Sequence, residues 1–301
     1  LPKRFPHLIL KPKINKFRTI DFPVALHKIA PLDNPLEIVP LLNIGLGFVN
    51  QIVDITRRAG NEIMRVYDTD FEVQTKGDAS PVTAADQLAE NLILRSIREG
   101  LTDKFPIVSE EAASDGVIPD IKGHSFWLVD PLDGTKEFVN RNGEFTVNIA
   151  LIEHSKPVLG VVHLPTKNTT YFAASIGAFV QREDNPAEQI QCRTPSAEGV
   201  CAVVSRSHRT SEVDDYLKDY TVINEISAGS SLKFCTVAEG SADIYPRLGR
   251  TMEWDTAAGH AVLRFAGGSV KKLDGTDLNY GKDGFENPHF IASGPGVEPN
   301  S

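Results

Sequence analysis

Phe126-Trp127-Leu128-Val129-Asp130-Pro131-Leu132-Asp133-Gly134-Thr135 is the stretch whose reading decides the fold. An apolar run of strand character ends in two aspartates three residues apart, and Lys136-Glu137-Phe138 follows directly. The pattern predicts a strand, a tight turn and the start of a helix. Pro131 fixes its own φ and lacks a backbone donor, and Gly134 lets the chain bend closely, so both carboxylates and the Leu132 carbonyl can point to one side. Hard oxygens in that number suit Mg²⁺, and the N–H groups of Gly134 and Thr135 at a helix start suit an anion. The competing reading is structural only, with Asp133 capping a helix and Asp130 closing a strand.

Working outward, the segment Phe105-Pro106-Ile107-Val108-Ser109-Glu110-Glu111 repeats the logic of an apolar strand running out into acids. Adjacent glutamates on a strand point to opposite faces, so at most one is a ligand, and Glu110 is favoured. Further upstream, Thr83 and Asp86 stand in the T-x-x-D relation of a helix N-terminus before Leu88, Leu92 and Ile93. Asp86 is therefore a capping carboxylate, an acid facing a site, or both. Val49, Ile52, Val53, Thr56, Ala59, Ile63 and Val66 recur at helical spacing and predict an amphipathic helix ending near Asp68, followed by a short strand over 71–76.

Downstream of the central turn, strand-like runs over 145–152, 158–164, 170–174 and 178–181 are separated by turn residues and predict an antiparallel meander. The rhythm then changes. Strands over 200–204, 221–226, 242–245 and 269–272 alternate with helices over 212–217, 231–238 and 256–265, which predicts a mixed α/β layer. The polar segment 181–199, with Pro186 and Pro195, is the expected boundary. The chain thus divides into a proline-punctuated, poorly ordered extension over 1–45, an α+β half over 46–185 and an α/β half over 186–301.

Composition narrows the function classes. The chain has 301 residues, 41% of them apolar, enough for one large core or two smaller ones. A formal charge of −9 with no basic stripe argues against binding a nucleic-acid polymer. The apolar patch over 36–49 is broken by Pro40 and two glycines and is too short for a transmembrane helix, and the start shows no secretory pattern. Cys192, Cys201 and Cys235 make no close-spaced ligand pair and cannot all pair within a monomer, which favours a reducing compartment. The histidines show no H-x-x-x-H spacing, so zinc chemistry has little support.

Five acids sit at strand ends and helix starts: Asp86, Glu110, Asp130, Asp133 and Asp255, the last within Glu253-Trp254-Asp255-Thr256-Ala257-Ala258-Gly259. If they converge, they cannot all stay ionised without cations, because close like charges raise one another's pKa. Convergence predicts metal, and spacing alone does not establish it.

D-P-L-D-G-T with S-E-E upstream and W-D-x-A-A-G downstream resembles the signature of the inositol monophosphatase-like, lithium-sensitive phosphatases. More closely, residues 127–152, Ser205-Arg206-Ser207-His208, Gly229-Ser230-Ser231-Leu232-Lys233-Phe234-Cys235 and Tyr245-Pro246-Arg247 resemble the CysQ-type 3′(2′),5′-bisphosphate nucleotidases, over about residues 48–290. The resemblance implies a layered α-β-α-β-α sandwich, with an antiparallel sheet in the first half and a mixed sheet in the second. It implies a cytoplasmic enzyme and also allows a peripheral place on the cytoplasmic face of the inner membrane. Oligomeric state stays open.

By the same resemblance, Glu110, Asp130 and the Leu132 carbonyl hold one Mg²⁺. Asp130, Asp133 and Asp255 hold a second, and Asp86 with Glu110 holds a third through water. Thr135 and Asp86 orient the attacking water and take its proton, and Gly134 and Thr135 clamp the scissile phosphate. Ser205, His208, Ser230, Lys233 and Arg247 are the candidate contacts to sugar and second phosphate, because a nucleotide with two separate phosphates needs extra cationic donors. Taken singly, Lys233 and Arg247 also read as solvated surface charges and Ser230 as a helix cap. The implied reaction is hydrolysis of 3′-phosphoadenosine 5′-phosphate to AMP and phosphate, with phosphoadenylyl sulfate as a further substrate, linked to sulfate assimilation and nucleotide recycling. Inositol monophosphatase or sugar bisphosphatase activity on the same metal site is one alternative. A non-catalytic nucleotide- or metal-binding module is another, disfavoured because an ion cage alone does not require Thr135 and Asp86.

Overall fold

The computed structural model describes residues 44–75, 81–207 and 209–297. The extension expected over 1–45 falls outside these residues up to residue 43, and so does His208.

Helix α1 (Leu46–Tyr67) buries Val49, Ile52, Val53, Thr56, Ala59 and Ile63, the stripe that its periodicity predicts. A two-stranded antiparallel pair, β1 (Val73–Thr75) and β2 (Pro81–Thr83), leads into α2 (Ala84–Gly100). Then come β3 (Ile107–Ser109), α3 (Glu110–Ser114), β4 (Phe126–Asp133) and α4 (Thr135–Val139). Strands β5 (Thr146–Glu153), β6 (Lys156–Leu164), β7 (Thr169–Ala174), β8 (Gly177–Arg182) and β9 (Glu188–Gln189) complete a seven-stranded sheet in chain order from β3 to β9. It is antiparallel throughout except for the parallel β3–β4 pair.

The second half follows the alternation read from the sequence. Strand β10 (Val200–Ser205), α5 (Ser211–Leu217), β11 (Val222–Ala228), α6 (Leu232–Ala238), β12 (Ile244–Arg247), α7 (Glu253–Phe265), β13 (Ser269–Lys272) and β14 (Phe290–Ser293) build a five-stranded sheet. Its order is β11-β10-β12-β14-β13, with β11, β10 and β12 parallel and the last three antiparallel. This is the mixed sheet expected, enlarged by β14.

Alternation along the strands stacks these pieces into five layers. Trp127 and Val129 on β4, and Val147, Ile149 and Leu151 on β5, face α1 and α2, whereas Phe126, Leu128, Ala150 and Ile152 face α6 and α7. On β10, Cys201 and Val203 turn inward to α6 and α7, while Val200, Ala202 and Val204 pack with Val213 and Leu217 of α5. The result is the expected α-β-α-β-α sandwich. Sheets covered on both faces read as apolar runs, which is why their longer strands stand out in the sequence. Each fully buried Ile, Leu or Phe contributes about 1.5–3 kcal/mol. Helix α7 lies so close to β6 that a Cβ on Gly160 would stand 2.4 Å from the Ala258 carbonyl oxygen. Among the described residues, no helix is long and apolar enough to cross a membrane.

Candidate active site

The acids arrive on separate elements that end at one place. Thr83 N-caps α2 and its backbone N–H donates to Asp86 Oδ2 at 2.7 Å, as does its hydroxyl at 2.8 Å, so the capping reading of Asp86 holds. The other oxygen, Oδ1, lies 3.4 Å from the Thr135 hydroxyl, which also stands 3.2 Å from the Leu132 carbonyl oxygen. Asp86 thus caps α2 and reaches the central turn with the same side chain.

Glu110 and Glu111 are not strand residues, contrary to expectation. Strand β3 stops at Ser109 and both glutamates open α3. Glu90 of α2 fixes that helix start by accepting from the Ser109 hydroxyl and, at 3.1 Å, from the Ala112 N–H. Helical rotation therefore separates the two side chains, and Glu111 is buried rather than turned to solvent. Glu110 joins the acid cluster as expected: one carboxylate oxygen each from Glu110, Asp130 and Asp255 lie within 4.8 Å of one another.

In the central turn, the Leu132 N–H donates back to Asp130 Oδ1 at 3.0 Å, and Gly134 takes a left-handed conformation at φ +90°. The register of β4 against β5 breaks between Asp130 and Asp133, which re-aims the strand end. Asp133 lies outside the 4.8 Å set but lines the same cleft, and its Oδ2 accepts from Asn148 Nδ2 at 3.2 Å and from the Thr146 hydroxyl at 3.4 Å. Asp255 sits in the first turn of α7, where its Oδ2 accepts the Met252 N–H at 2.9 Å. Its neighbour Glu253 is fully buried and spends its carboxylate on Gly281 and Lys282, so it is taken up structurally. Asn148 and Ser231 bridge the two halves: Asn148 Nδ2 donates to Ser231 Oγ at 2.9 Å, and Ser231 Oγ donates to the Asp255 carbonyl at 2.6 Å.

The electrostatics are those of a cation site. Burial first, then Glu110, Asp133 and Asp255, push the Asp130 carboxyl well above its usual range. Burial followed by Asp133 and Glu110 pushes Asp255 up to about 8. Asp133 is also raised by burial, against the opposing Lys233 ammonium and hydrogen bonds from Ser231 and Asn148. Helix N-termini at Asp86, Glu110 and Asp255 offset part of the repulsion. A carboxylate-only donor set fits a hard divalent ion, and a cation returns these groups to the ionised form.

The cluster opens into a cleft of about 990 Å³ lined by Glu110, Asp130, Leu132, Asp133, Gly134 and Thr135 from the first half, and by Ser205, Ser230, Lys233, Arg247 and Asp255 from the second. Lys233 is buried, not a solvated surface charge, and burial lowers its ammonium to about 8. Its Nζ donates to the Ser230 carbonyl at 2.5 Å and stands 5.5 Å from the Tyr245 ring centroid. Arg247 donates to the Arg250 carbonyl at 2.9 Å, while its buried Nε has no partner among the described residues. Arg206 is turned away: its guanidinium is held by Glu144 at 2.8 Å through two nitrogens.

Sequence reasoning missed Thr146 and Asn148, the cross-strand partners of Asp133 and Asp130. Two polar residues at alternate positions of an otherwise apolar strand were the available signal. It also missed the aromatic walls Tyr245, Trp254 and Phe285. Tyr245 was readable from Arg247 by strand alternation, whereas Phe285 comes from a loop that no period marks.

Known proteins carry the same architecture. Residues 48–298 match the model of the inositol monophosphatase family. The chain is 48% identical over 250 residues to the 3′(2′),5′-bisphosphate nucleotidase CysQ of Escherichia coli K12, a match covering 81% of this chain and 99% of that protein. The CysQ of Buchnera aphidicola is 41% identical over 256 residues, covering 83% and 95%. The crystal structure of CysQ from Bacteroides thetaiotaomicron superposes with a TM-score of 0.71 at 38% identity, over 82% of this chain and 97% of that one. An IMPase from Thermotoga maritima superposes at 0.68 with 26% identity, over 82% and 92%. With a family match over most of its length and CysQ relatives matched almost end to end, the chain belongs to the inositol monophosphatase family, in its CysQ branch.

Proposed function

We propose that the chain is a Mg²⁺-dependent nucleotidase that hydrolyses the 3′-phosphate of 3′-phosphoadenosine 5′-phosphate to AMP and phosphate, and that it also accepts phosphoadenylyl sulfate. The observation that carries this reading is the cleft itself. Carboxylates from α3, β4 and α7 share the cleft with buried Lys233 and half-buried Arg247 in a chain 48% identical to nucleotidases. A phosphomonoester with one phosphate needs the acids; the added cations suit a second phosphate.

Glu110, Asp130 and the Leu132 carbonyl would hold one ion, and Asp130, Asp133 and Asp255 a second, with Asp86 reaching a third through water. Bound there, Mg²⁺ supplies Lewis acidity that lowers the pKa of a water and neutralises charge on the transferring phosphoryl group. The chain does the rest. The Thr135 hydroxyl, placed between Asp86 and the Leu132 carbonyl, donates to Asp86 and keeps lone pairs for the attacking water, so the proton passes toward Asp86. Left-handed Gly134 turns its own N–H and that of Thr135 toward the scissile phosphate. Arg247 Nε, buried and without a partner among the described residues, costs about 1–3 kcal/mol unless an acceptor meets it, and a second phosphate offers one. Ser205, Ser230 and Lys233 complete the contacts to ribose and phosphate, with His208 assigned to the same role from its sequence position.

A substrate panel with Mg²⁺ tests the reading. Phosphate release from the adenosine bisphosphate should exceed that from inositol 1-phosphate and fructose 1,6-bisphosphate, and Li⁺ and Ca²⁺ should suppress it. Faster turnover of inositol 1-phosphate refutes the substrate assignment. Nucleotide binding without phosphate release under any divalent ion refutes catalysis.

A further inference from the structure

The two halves meet at the cleft through two carboxylates that the proposed chemistry leaves unused. Glu144, in the loop before β5, holds Arg206 through both oxygens at 2.8 Å and accepts the Gly229 N–H at 2.8 Å. Glu137, buried on α4, accepts the Ser207 hydroxyl at 2.5 Å. Arg206 and Ser207 follow β10, and Gly229 follows β11. Each of these loops carries a residue that lines the cleft, Ser207 in one and Ser230 in the other.

Packing fixes the same junction. A Cβ on Gly229 would stand 2.8 Å from the Glu144 carbonyl oxygen and 3.1 Å from Glu137 Cγ. A Cβ on Gly134, in the metal-binding turn, would stand 3.3 Å from Glu137 Oε2, the Glu144 carbonyl oxygen and Ser230 Cβ. The turn that carries the acids and the loops that carry the substrate contacts therefore abut at these two glutamates. A second tie reinforces the Glu144 contact, since Arg206 also donates to the Ser227 carbonyl at 2.9 Å and so links β11 to the same carboxylate.

We propose that Glu137 and Glu144 are positioning residues that set the distance between the hydrolytic turn and the substrate loops, and so govern how the part of the substrate beyond the scissile phosphate is held. Neither touches the reacting atoms. The inference rests on the proposed phosphatase reading for its kinetic readout alone.

The test uses the full chain with Glu144→Gln, Glu144→Ala and Arg206→Ala, and the corresponding double variant. Hydrogen exchange of amides 205–207 and 227–231 is expected to speed up about tenfold in Glu144→Ala, with exchange in β4 unchanged. KM for the adenosine bisphosphate is expected to rise about tenfold while kcat stays within about twofold and half-activating Mg²⁺ does not move. Glu144→Gln, which keeps the Gly229 contact, should recover part of the loss, and the double variant should be no worse than Glu144→Ala. Unchanged exchange in both loops overturns the proposal whatever the wild-type activity. So does a loss confined to kcat, or additive Arg206 and Glu144 effects. If the wild type does not hydrolyse the adenosine bisphosphate, the nucleotidase reading fails by itself, and KM is then read on whichever phosphomonoester of the panel is turned over.

Discussion

Replacing Asp255 by Asn should stabilise the metal-free protein, by an amount that depends on pH. Burial with Asp133 and Glu110 nearby moves this carboxyl from 3.8 to about 8. Between those values the folded chain keeps a proton that the unfolded chain has released, so stability falls as pH rises through the window. Each pH unit in it costs about 1.4 kcal/mol, which gives on the order of 4 kcal/mol at pH 7 and about 6 kcal/mol above pH 8. Asparagine removes the charge yet retains an oxygen for the Met252 N–H, so the α7 cap survives. Urea unfolding in chelator at pH 4, 7 and 9 is the assay. The variant should match wild type at pH 4 and exceed it increasingly at pH 7 and 9. With Mg²⁺ the gap at pH 7 should narrow by more than half, since an ion at about a hundredfold excess over its Kd stabilises wild type by about 2.7 kcal/mol. A variant less stable by the same margin at every pH would refute the repulsion argument.

Three further outcomes follow from the geometry. Asp86→Asn and Thr135→Val should each lower kcat by about 10²–10⁴ while leaving in place the two Mg²⁺ ions assigned to Glu110, Asp130, Asp133 and Asp255, as read by calorimetry beside phosphate release, because they act on the proton path. With Lys233 lowered to about 8 by burial, KM for the adenosine bisphosphate should be flat below pH 8 and climb above it as the ammonium loses its proton, and Lys233→Met should abolish that climb. Gly160→Ala, whose methyl would meet the Ala258 carbonyl at 2.4 Å, should cost about 1–3 kcal/mol in urea melts without changing KM.

The layers were legible because their strands are buried on both faces and read as apolar runs, and the acids because each sits where a strand runs out or a helix begins. Asp255 reads as a ligand only when a distant segment supplies Asp130, so its convergence belonged to tertiary structure. The Glu110–Glu111 pair was misread as strand because the Glu90 contact that starts α3 is made from α2, about twenty residues away. Arg206 is only one member of the Ser205-Arg206-Ser207-His208 motif in the sequence and becomes a fastening in the fold, since its partner Glu144 lies 62 residues earlier. Strand β14 carries too short an apolar run to declare itself without β12 and β13 beside it.

The account stands on carboxylates from separate elements holding divalent ions for phosphate release, and Asp130, shared by both proposed ions, is where it is most exposed. Phosphate release from 3′-phosphoadenosine 5′-phosphate, measured across a Mg²⁺ titration for wild type and Asp130→Asn, should show a loss of about a thousandfold or more that no Mg²⁺ concentration restores. Wild-type turnover in Asp130→Asn would contradict it.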